Sequence, residues 1–477
     1  MIPVNNIIQQ IAVKMVEQVF ENLSENGIHS IGQTANQLLG IAKSAASEIL
    51  SAAIEQMDIA LVEANQARRT DGLRIKQRNV PRTLLTDLGE LRYERTYFET
   101  KQGHRCYLVD HLIGVEPYER LSKELCAQLV QQTAGKSMEK AAKDLQVAVS
   151  RQTVNNKVLA LKEVAVEAEP AQETPKVLHL FADEDHAHLK NGRTAIVPLV
   201  TVTEGIDASQ KRHQTIRAVH FEGYGVENER FFENISSFLN EKYRMEQVET
   251  VYVHADGGTW IRAVQDWLPN VQFVMDGFHL EKRLRQISRL EGAAPYVGAI
   301  RQSMREDQLS KFVAYCARIR EKLDERGRGT LADNEDFIRK HWGAVVLRIR
   351  NEVCGSCTEP LVSHVLSQRL SRNPLAWSEH GIRQMAMLRV YVKNGGAVAA
   401  KDIRVSRSKT DLDRDRAAFK DGFVRYRDYA DKQIDAFLSA KPDWSIFERS
   451  LLPSGKLDGV ALIRKAWGTL RNSLLTA

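Results

Sequence analysis

Apolar residues recur every three to four positions between residues 7 and 62: Ile7, Ile11, Met15 and Val19, then Leu38, Ile41, Ala45, Ile49 and Ala53. The turn-like pair Asn26-Gly27 separates the two runs, so the pattern predicts two amphipathic helices. Their polar face is acidic, which suits packing or self-association better than a membrane surface. A basic stretch follows (Arg68, Arg69, Arg74, Lys76, Arg78, Arg82). Two β-like runs, 82–87 and 90–99, then join around Gly89, with Tyr93, Tyr97 and Phe98 supplying strand propensity. Helical spacing returns over 119–161. Within it, 137–145 reads as a short helix, 146–149 as a turn, and 150–158 as a second helix with Ser150 as N-cap.

That spacing is helix-turn-helix. The second helix offers Arg151, Gln152, Asn155, Asn156 and Lys157, side chains suited to base edges and phosphates in a major groove, although short helical pairs also serve plain packing. Residues 163–176 lack apolar periodicity and read as an acidic linker (Glu167, Glu169, Pro170, Glu173, Pro175). Beyond it, strands are predicted at 177–182, 194–203 and 215–221, a helix at 228–243, a strand at 250–255, a helix at 259–268 and a strand at 271–275. Three antiparallel strands, helix, strand, helix and strand is the element order of an RNase H-like α/β domain. From 278 to about 353 the pattern is helical with Arg-rich faces, and 401–421 reads as a solvated mixed-charge face.

The expected architecture is thus an α/β RNase H-like domain with a large helical insertion. A mostly helical N-terminal region, carrying a small β-hairpin and a helix-turn-helix, precedes it. The segments are 1–65 (helical), 66–162 (hairpin and helix-turn-helix), 163–176 (linker), 177–282 (α/β core), 283–353 (helical insertion) and 354–477 (helical part completing the core).

Composition narrows the setting. The 477 residues are 43% hydrophobic and 27% charged, ordinary values for a globular chain. No apolar run is long enough to span a membrane. Five scattered cysteines make no disulfide framework, and a cytoplasmic location is expected. The formal net charge of +6 is uneven: residues 1–60 carry −4, leaving +10 on the remainder, a balance that fits a polyanionic partner.

The candidate chemistry is a pair of carboxylates. Asp183 closes the first predicted strand of the α/β domain and Asp256 closes the fourth; in an RNase H-like order these strands are neighbours, so the two groups meet at one sheet edge. Paired carboxylates suit two-metal phosphoryl transfer, in which two ions about 3.5–4 Å apart serve the attacking and leaving oxygens. A third acidic ligand is expected beyond the helical segment. Glu359, at the Thr-Glu-Pro helix start, is the first candidate, and Glu379 is the alternative that spacing leaves open. His279, three residues after Asp276, suits a contact to a phosphate or to the Asp276 carboxylate. Lys282, Arg285 and Arg289 share one face of the following helix, placed for phosphate contacts. Cys354-x-x-Cys357 with His364 and His380 lacks a full tetrahedral zinc set at usual spacing.

Three motifs taken together, Val253-His-Ala-Asp-Gly-Gly-Thr-Trp-Ile-Arg-Ala, Val274-Met-Asp-Gly-Phe-His-Leu-Glu-Lys and Cys357-Thr-Glu-Pro-Leu-Val-Ser-His-Val-Leu-Ser-Gln-Arg-Leu, resemble the ISLre family of bacterial insertion-sequence transposases. More distantly they look like the Mutator-type DDE transposases. The resemblance extends over nearly the whole chain, including the hairpin and the Ser-Arg-Gln-Thr-Val helix. It implies a catalytic and metal-binding triad of Asp183, Asp256 and Glu359, with Asp185 as the alternative to Asp183. It also implies two Mg²⁺ (or Mn²⁺) ions, Asp276 and His279 as an accessory Asp-x-x-His motif, and the helical segment as an insertion domain. The expected activity is cutting and joining of double-stranded DNA, at element ends and target, by a homo-oligomer assembled on that DNA and with no membrane partner. Two rivals share the acidic positions: an RNase H-like nuclease without strand transfer, and a non-catalytic DNA-binding regulator descended from a transposase.

Overall fold

The computed structural model describes residues 4–404 and 422–439, apart from 27–29, 102, 104, 208, 210–213, 351–352, 354–356 and 373–375. The chain divides into two compact units, one drawn from residues 1–127, 143–148 and 403–477, the other from 128–142 and 149–402. No helix among the described residues is long and apolar enough to cross a membrane.

In the first unit the two expected helices are Val4–Asn26 and Ile31–Glu63. Their apolar stripes meet, with Ile11 packed beside Ala45 and Ile49, and Lys14 pairs with Glu48 at 2.7 Å on the polar side. The hairpin is β1 (Arg74–Thr86) and β2 (Gly89–Glu99), with the short β3 (Arg105–Cys106) antiparallel to β2. β1 begins eight residues before the predicted run, so Arg74, Lys76 and Arg78 stand on a strand and not in a connecting stretch. The helix Ile31–Glu63 is fastened to β2 by Asp58, whose carboxylate accepts bonds from the Thr96 amide (3.0 Å) and hydroxyl (2.6 Å). Leu61, Phe98, Leu108 and Tyr426 are fully buried in one core. Tyr426 arrives on the helix Gly422–Ser439, and its hydroxyl donates to Asp71 at 2.8 Å. Beside this core Asp110 is buried (4% exposed), pairs with the buried Arg95, and accepts the Tyr93 hydroxyl at 2.9 Å.

The second unit is built on a five-stranded mixed sheet. Its strands are β4 (Val177–His188), β5 (Thr194–Thr203), β8 (Val219–Glu222), β9 (Thr250–Ala255) and β10 (Val271–Met275), in the order β10-β9-β4-β5-β8. β4, β9 and β10 run parallel, while β5 and β8 are antiparallel to their neighbours. A two-stranded ribbon, β6 (Gly205–Asp207) with β7 (Gln214–Ile216), takes the start of the run predicted at 215–221. Arg217 breaks that run: its φ of 49° is left-handed, incompatible with a continuing strand. The alternation of side chains sorts the sheet's two faces. Leu178, Leu180 and Ala182 meet Val251, Val253, Phe232 and Ile235 on one face, the latter two from the helix Asn228–Lys242. Residues 277–350 form successive helices with their own core (Leu280, Leu284, Phe312, Ile319, Leu331, Ile338), joined to the sheet through Met275 at the end of β10.

Two boundaries depart from expectation. β4 does not stop at Asp183. It runs five residues further, paired with β5 through His188↔Thr194, because Asp185 and Ala187 are buried there and extend the alternating pattern. The helix Arg151–Leu159 also belongs to the second unit, apart from the hairpin with which the sequence grouped it. Its Val154 and Val158 are buried, and it packs on the helix Glu379–Lys393.

Glu222, the last residue of β8, gives a pH-dependent expectation. Burial pushes its carboxyl up to about 7, against a bond accepted from the Tyr224 amide at 2.9 Å. The folded chain therefore holds this proton more tightly than the unfolded chain does. The associated stability is full below the ordinary carboxyl range and is lost as pH rises through about 7. Glu222→Gln keeps the acceptor and removes the charge, so thermal melts should show a gain of a few degrees at pH 8 and little change at pH 5. An equal effect at both pH values would contradict this account.

Candidate active site

Parallel pairing sets the site. β4 and β9 pair with a constant offset, Val177↔Thr250 through Phe181↔His254, and continuing it by two residues brings Asp183 level with Asp256. The face is fixed by what precedes the carboxylates: the rings of Phe181 and His254 stack at 4.4 Å, and His179 Nδ1 lies 3.2 Å from His254 Nε2. Burial holds both imidazoles below their ordinary pKa, so this layer beneath the carboxylates is neutral at pH 7. Glu184 points to the opposite face, where its carboxylate accepts the Trp260 indole N–H at 2.7 Å. Asp183 is half-buried; burial raises its carboxyl to about 6, the Glu184 amide opposes that shift, and the negative charge of Asp256 adds to it.

Asp256 leaves β9 in a tight turn. Its Oδ1 accepts the Gly258 amide at 2.9 Å. Gly257 has φ of 98°, and a Cβ there would lie 2.8 Å from the His341 ring, so glycine is needed twice over. On the next parallel strand Met275 pairs with Ala255, and the Asp276 amide donates to the Ala255 carbonyl at 2.8 Å. Asp276 is buried (2% exposed) and caps the helix Gly277–Ser288, accepting the amides of Phe278 and His279. His279 returns to it, with Nδ1 3.1 Å from Oδ2. That bond, then the charges of Asp276, Asp256 and Asp183, raises the His279 pKa against the opposing effect of burial. Asp183 within β4, Asp256 and Asp276 just past the ends of β9 and β10, and the His279 imidazole on the following helix therefore share one electrostatic neighbourhood.

Asp185, the alternative to Asp183, is engaged elsewhere. It is buried, and its Oδ1 accepts the hydroxyls of Ser367 (2.9 Å) and Ser371 (2.8 Å). This ties β4 to the segment made of Thr358–Val362, the π-helical turn Ser363–Ser367 and Gln368–Leu370. Glu359 lies at the start of that segment, which packs on β4, but its side chain is exposed and is not among the charges that shift Asp183 or His279. Glu379 is likewise exposed, at the first position of its helix, where its charge acts on Tyr224. Among the described residues no group of three His, Cys, Asp or Glu side chains is placed to hold a metal ion. Cys354 lies outside the described residues.

The remaining sequence candidates are placed as follows. Ser150 caps the helix Arg151–Leu159 by accepting the Thr153 amide at 3.1 Å. Arg151, Gln152 and Asn156 are exposed, Asn155 and Lys157 partly so, and Gln152 donates to Asn156 at 2.8 Å. Lys282, Arg285 and Arg289 are exposed on one side of the helix that starts at Asp276. Sequence reasoning missed His341 against Gly257 and Arg348 against Gly277; both come from the helical segment, whose spacing carries no sign of that approach.

Comparison with known proteins gives the chain its family. A UPF0236 protein of Caldanaerobacter subterraneus subsp. tengcongensis is 30% identical over 384 residues, covering 79% of this chain and 81% of its own length. A second from the same organism is 30% identical over 401 residues, covering 82% and 84%. A UPF0236 protein named for the vanSb 3′ region of Streptococcus gallolyticus is 21% identical over 394 residues, covering 76% and 83%. The model of the uncharacterised protein family UPF0236 matches residues 23–407, which span the sheet, the carboxylates and the helical segment. The chain belongs to the UPF0236 family.

Proposed function

We propose that this chain is a DNA transposase of a bacterial insertion sequence, with an RNase H-like catalytic unit that cuts and joins DNA by phosphoryl transfer. The observation that carries the reading is the shared register of β4 and β9, which draws Asp183 and Asp256 to one level just past the paired stretch of the two parallel strands. A further support comes from the relatives: the name of the first Caldanaerobacter protein joins eleven locus designations, the distribution that a spreading element leaves.

The donor chemistry fits magnesium. Mg²⁺ is commonly held by one or two carboxylates with water and substrate phosphate completing its shell, so a protein cage of three ligands is not required. The mutual repulsion of Asp183 and Asp256 is what a divalent cation would relieve. Asp183 and Asp256 would hold the ions, with Glu359 as the third ligand if the segment carrying it draws toward the pair. Bound there, the ions would polarise phosphate oxygen and lower the pKa of water. Within the chain, Asp276 fixes the His279 ring through Nδ1, and the raised pKa keeps that ring cationic further toward neutral pH, suited to facing a phosphate. Exposed Lys282, Arg285 and Arg289 extend the positive surface along the same helix for the DNA backbone.

Incubating the purified chain and Mg²⁺ with duplex carrying the DNA that flanks its reading frame tests the reading. End-specific nicks followed by joined products are expected. Nicking without joining would favour a nuclease, and binding without nicking a regulator. On the same duplex, alanine at Gln152 and Asn155 should weaken end binding by about 1–3 kcal/mol per lost base contact, with less effect on unrelated duplex. An equal loss on both DNAs would remove the recognition role of that helix.

A further inference from the structure

The second unit contains a cavity of about 470 Å³ away from the carboxylate turn residues, lined by Arg151, Gln152, Lys190, Arg369, Trp377 and Glu139, among others. At roughly 30 Å³ per water, it has room for a phosphate with its flanking sugar atoms. Arg369 is the informative residue. It is 6% exposed, its Nε donates to the Thr133 carbonyl at 2.9 Å, and its guanidinium lies 5.1 Å from the Trp377 ring centroid. Its two terminal NH₂ groups have no hydrogen-bond partner among the described residues. The neighbouring charges that act on it, Arg389 and Arg151, are themselves cations.

A buried guanidinium facing a cavity, without a carboxylate and beside other cations, is costly unless an anion completes it. The surroundings favour an anion further. Two helices of more than eight residues start at the cavity, Arg151–Leu159 and Glu379–Lys393, each capped by a serine and each directing its positive end there. Lys190 adds a third cation from an exposed turn, against the single carboxylate of Glu139.

We infer that this cavity is a binding site for one phosphate group of a nucleic-acid backbone, gripped by Arg369, Arg151 and Lys190. The diester source follows from the rim, where the amides of Gln152 and Asn155 offer uncharged donors and acceptors to the adjoining sugar and base. The assignment rests on the reading of the chain as a DNA-handling protein. It gives the helix Arg151–Leu159 a second task, that of seating the strand it touches at a fixed point of the catalytic unit.

The test uses the full chain with a fluorescein-labelled duplex of about 24 base pairs, titrated between about 50 and 200 mM salt. Lys190→Gln and Arg151→Ala should each weaken binding several-fold and lower the salt slope by about 1, with melting temperatures unchanged. The double variant should also lose only about 1, because a single phosphate is released. Arg369→Gln should do the same; where it fails to fold, the two exposed positions carry the result. Slopes that add in the double variant, or affinities equal to wild type, overturn the site. Inorganic phosphate that raises the wild-type melting temperature while the variants bind duplex normally overturns the nucleic-acid source in favour of a free phosphate. A wild-type chain that binds and cuts duplex with variants indistinguishable from it sinks this site alone. A wild-type chain that binds no duplex at all sinks both this site and the transposase reading.

Discussion

Asp256→Asn should reduce Mg²⁺-dependent cleavage of element-end DNA by about 10³-fold or more, equivalent to about 4 kcal/mol of lost transition-state stabilisation. The substitution is mild in shape: the amide oxygen still accepts the Gly258 N–H that orders the turn, and Gly257 keeps its place against His341. What it removes is the charge that attracts a divalent cation and that presses on Asp183. Folding and duplex binding should stay near wild type, and Asp183→Asn should match it. Asp185→Ala should behave differently. Its carboxylate joins β4 to Ser367 and Ser371, so it should lower thermal stability while leaving the dependence on Mg²⁺ concentration unchanged. Full cleavage by Asp256→Asn would remove the carboxylate pair from the mechanism. Loss of cleavage in Glu379→Gln but not in Glu359→Gln would move the third ligand to the alternative site.

Asp110→Ala should destabilise the first unit by about 3–5 kcal/mol, because it strands the buried Arg95 without its counter-charge. Arg95 is 7% exposed, lies 3.5 Å from the Tyr107 ring centroid, and has no other carboxylate partner among the ion pairs of the described residues. The same change takes away the acceptor of the buried Tyr93 hydroxyl. Urea unfolding should show a lower midpoint with an unchanged slope. Arg105→Ala removes a pair with Glu99 that is open to solvent and should leave the midpoint where it is. Equal midpoints for Asp110→Ala and Arg105→Ala would show that the buried pair contributes nothing particular.

The sequence was most legible where local chemistry decides the structure. The cap at Ser150, the amphipathic stripes of the first two helices and the strands at 250–255 and 271–275 depend on residues close in sequence, and each stands where the pattern predicted it. The neighbourhood of Asp183 and Asp256 was legible because strand order alone implies it. The end of β4 was not, since Asp-Glu-Asp reads as a strand terminus. The partners that keep Asp185 buried, Ser367 and Ser371, lie more than 180 residues away. The exposed position of Glu359 was equally hidden, because a Thr-Glu-Pro start specifies a helix terminus and says nothing of which way that terminus faces.

The gap between the two paired strands has a consequence during synthesis. β4 gains its β5 partner almost at once, but its other edge waits for β9, whose residues follow at an offset of 73. At about 5–20 residues per second, a ribosome leaves that edge bare for roughly 4–15 seconds. An unpaired edge of this kind is a template for a second chain. The exposed His186 and His188 lie near the end of β4 beyond its pairing with β9, and the β9-facing stretch Val177–Phe181 is almost entirely apolar. Nascent chains translated side by side on one message would therefore be most prone to join each other in this interval, and a stop codon between residues 188 and 250 would make the interval permanent.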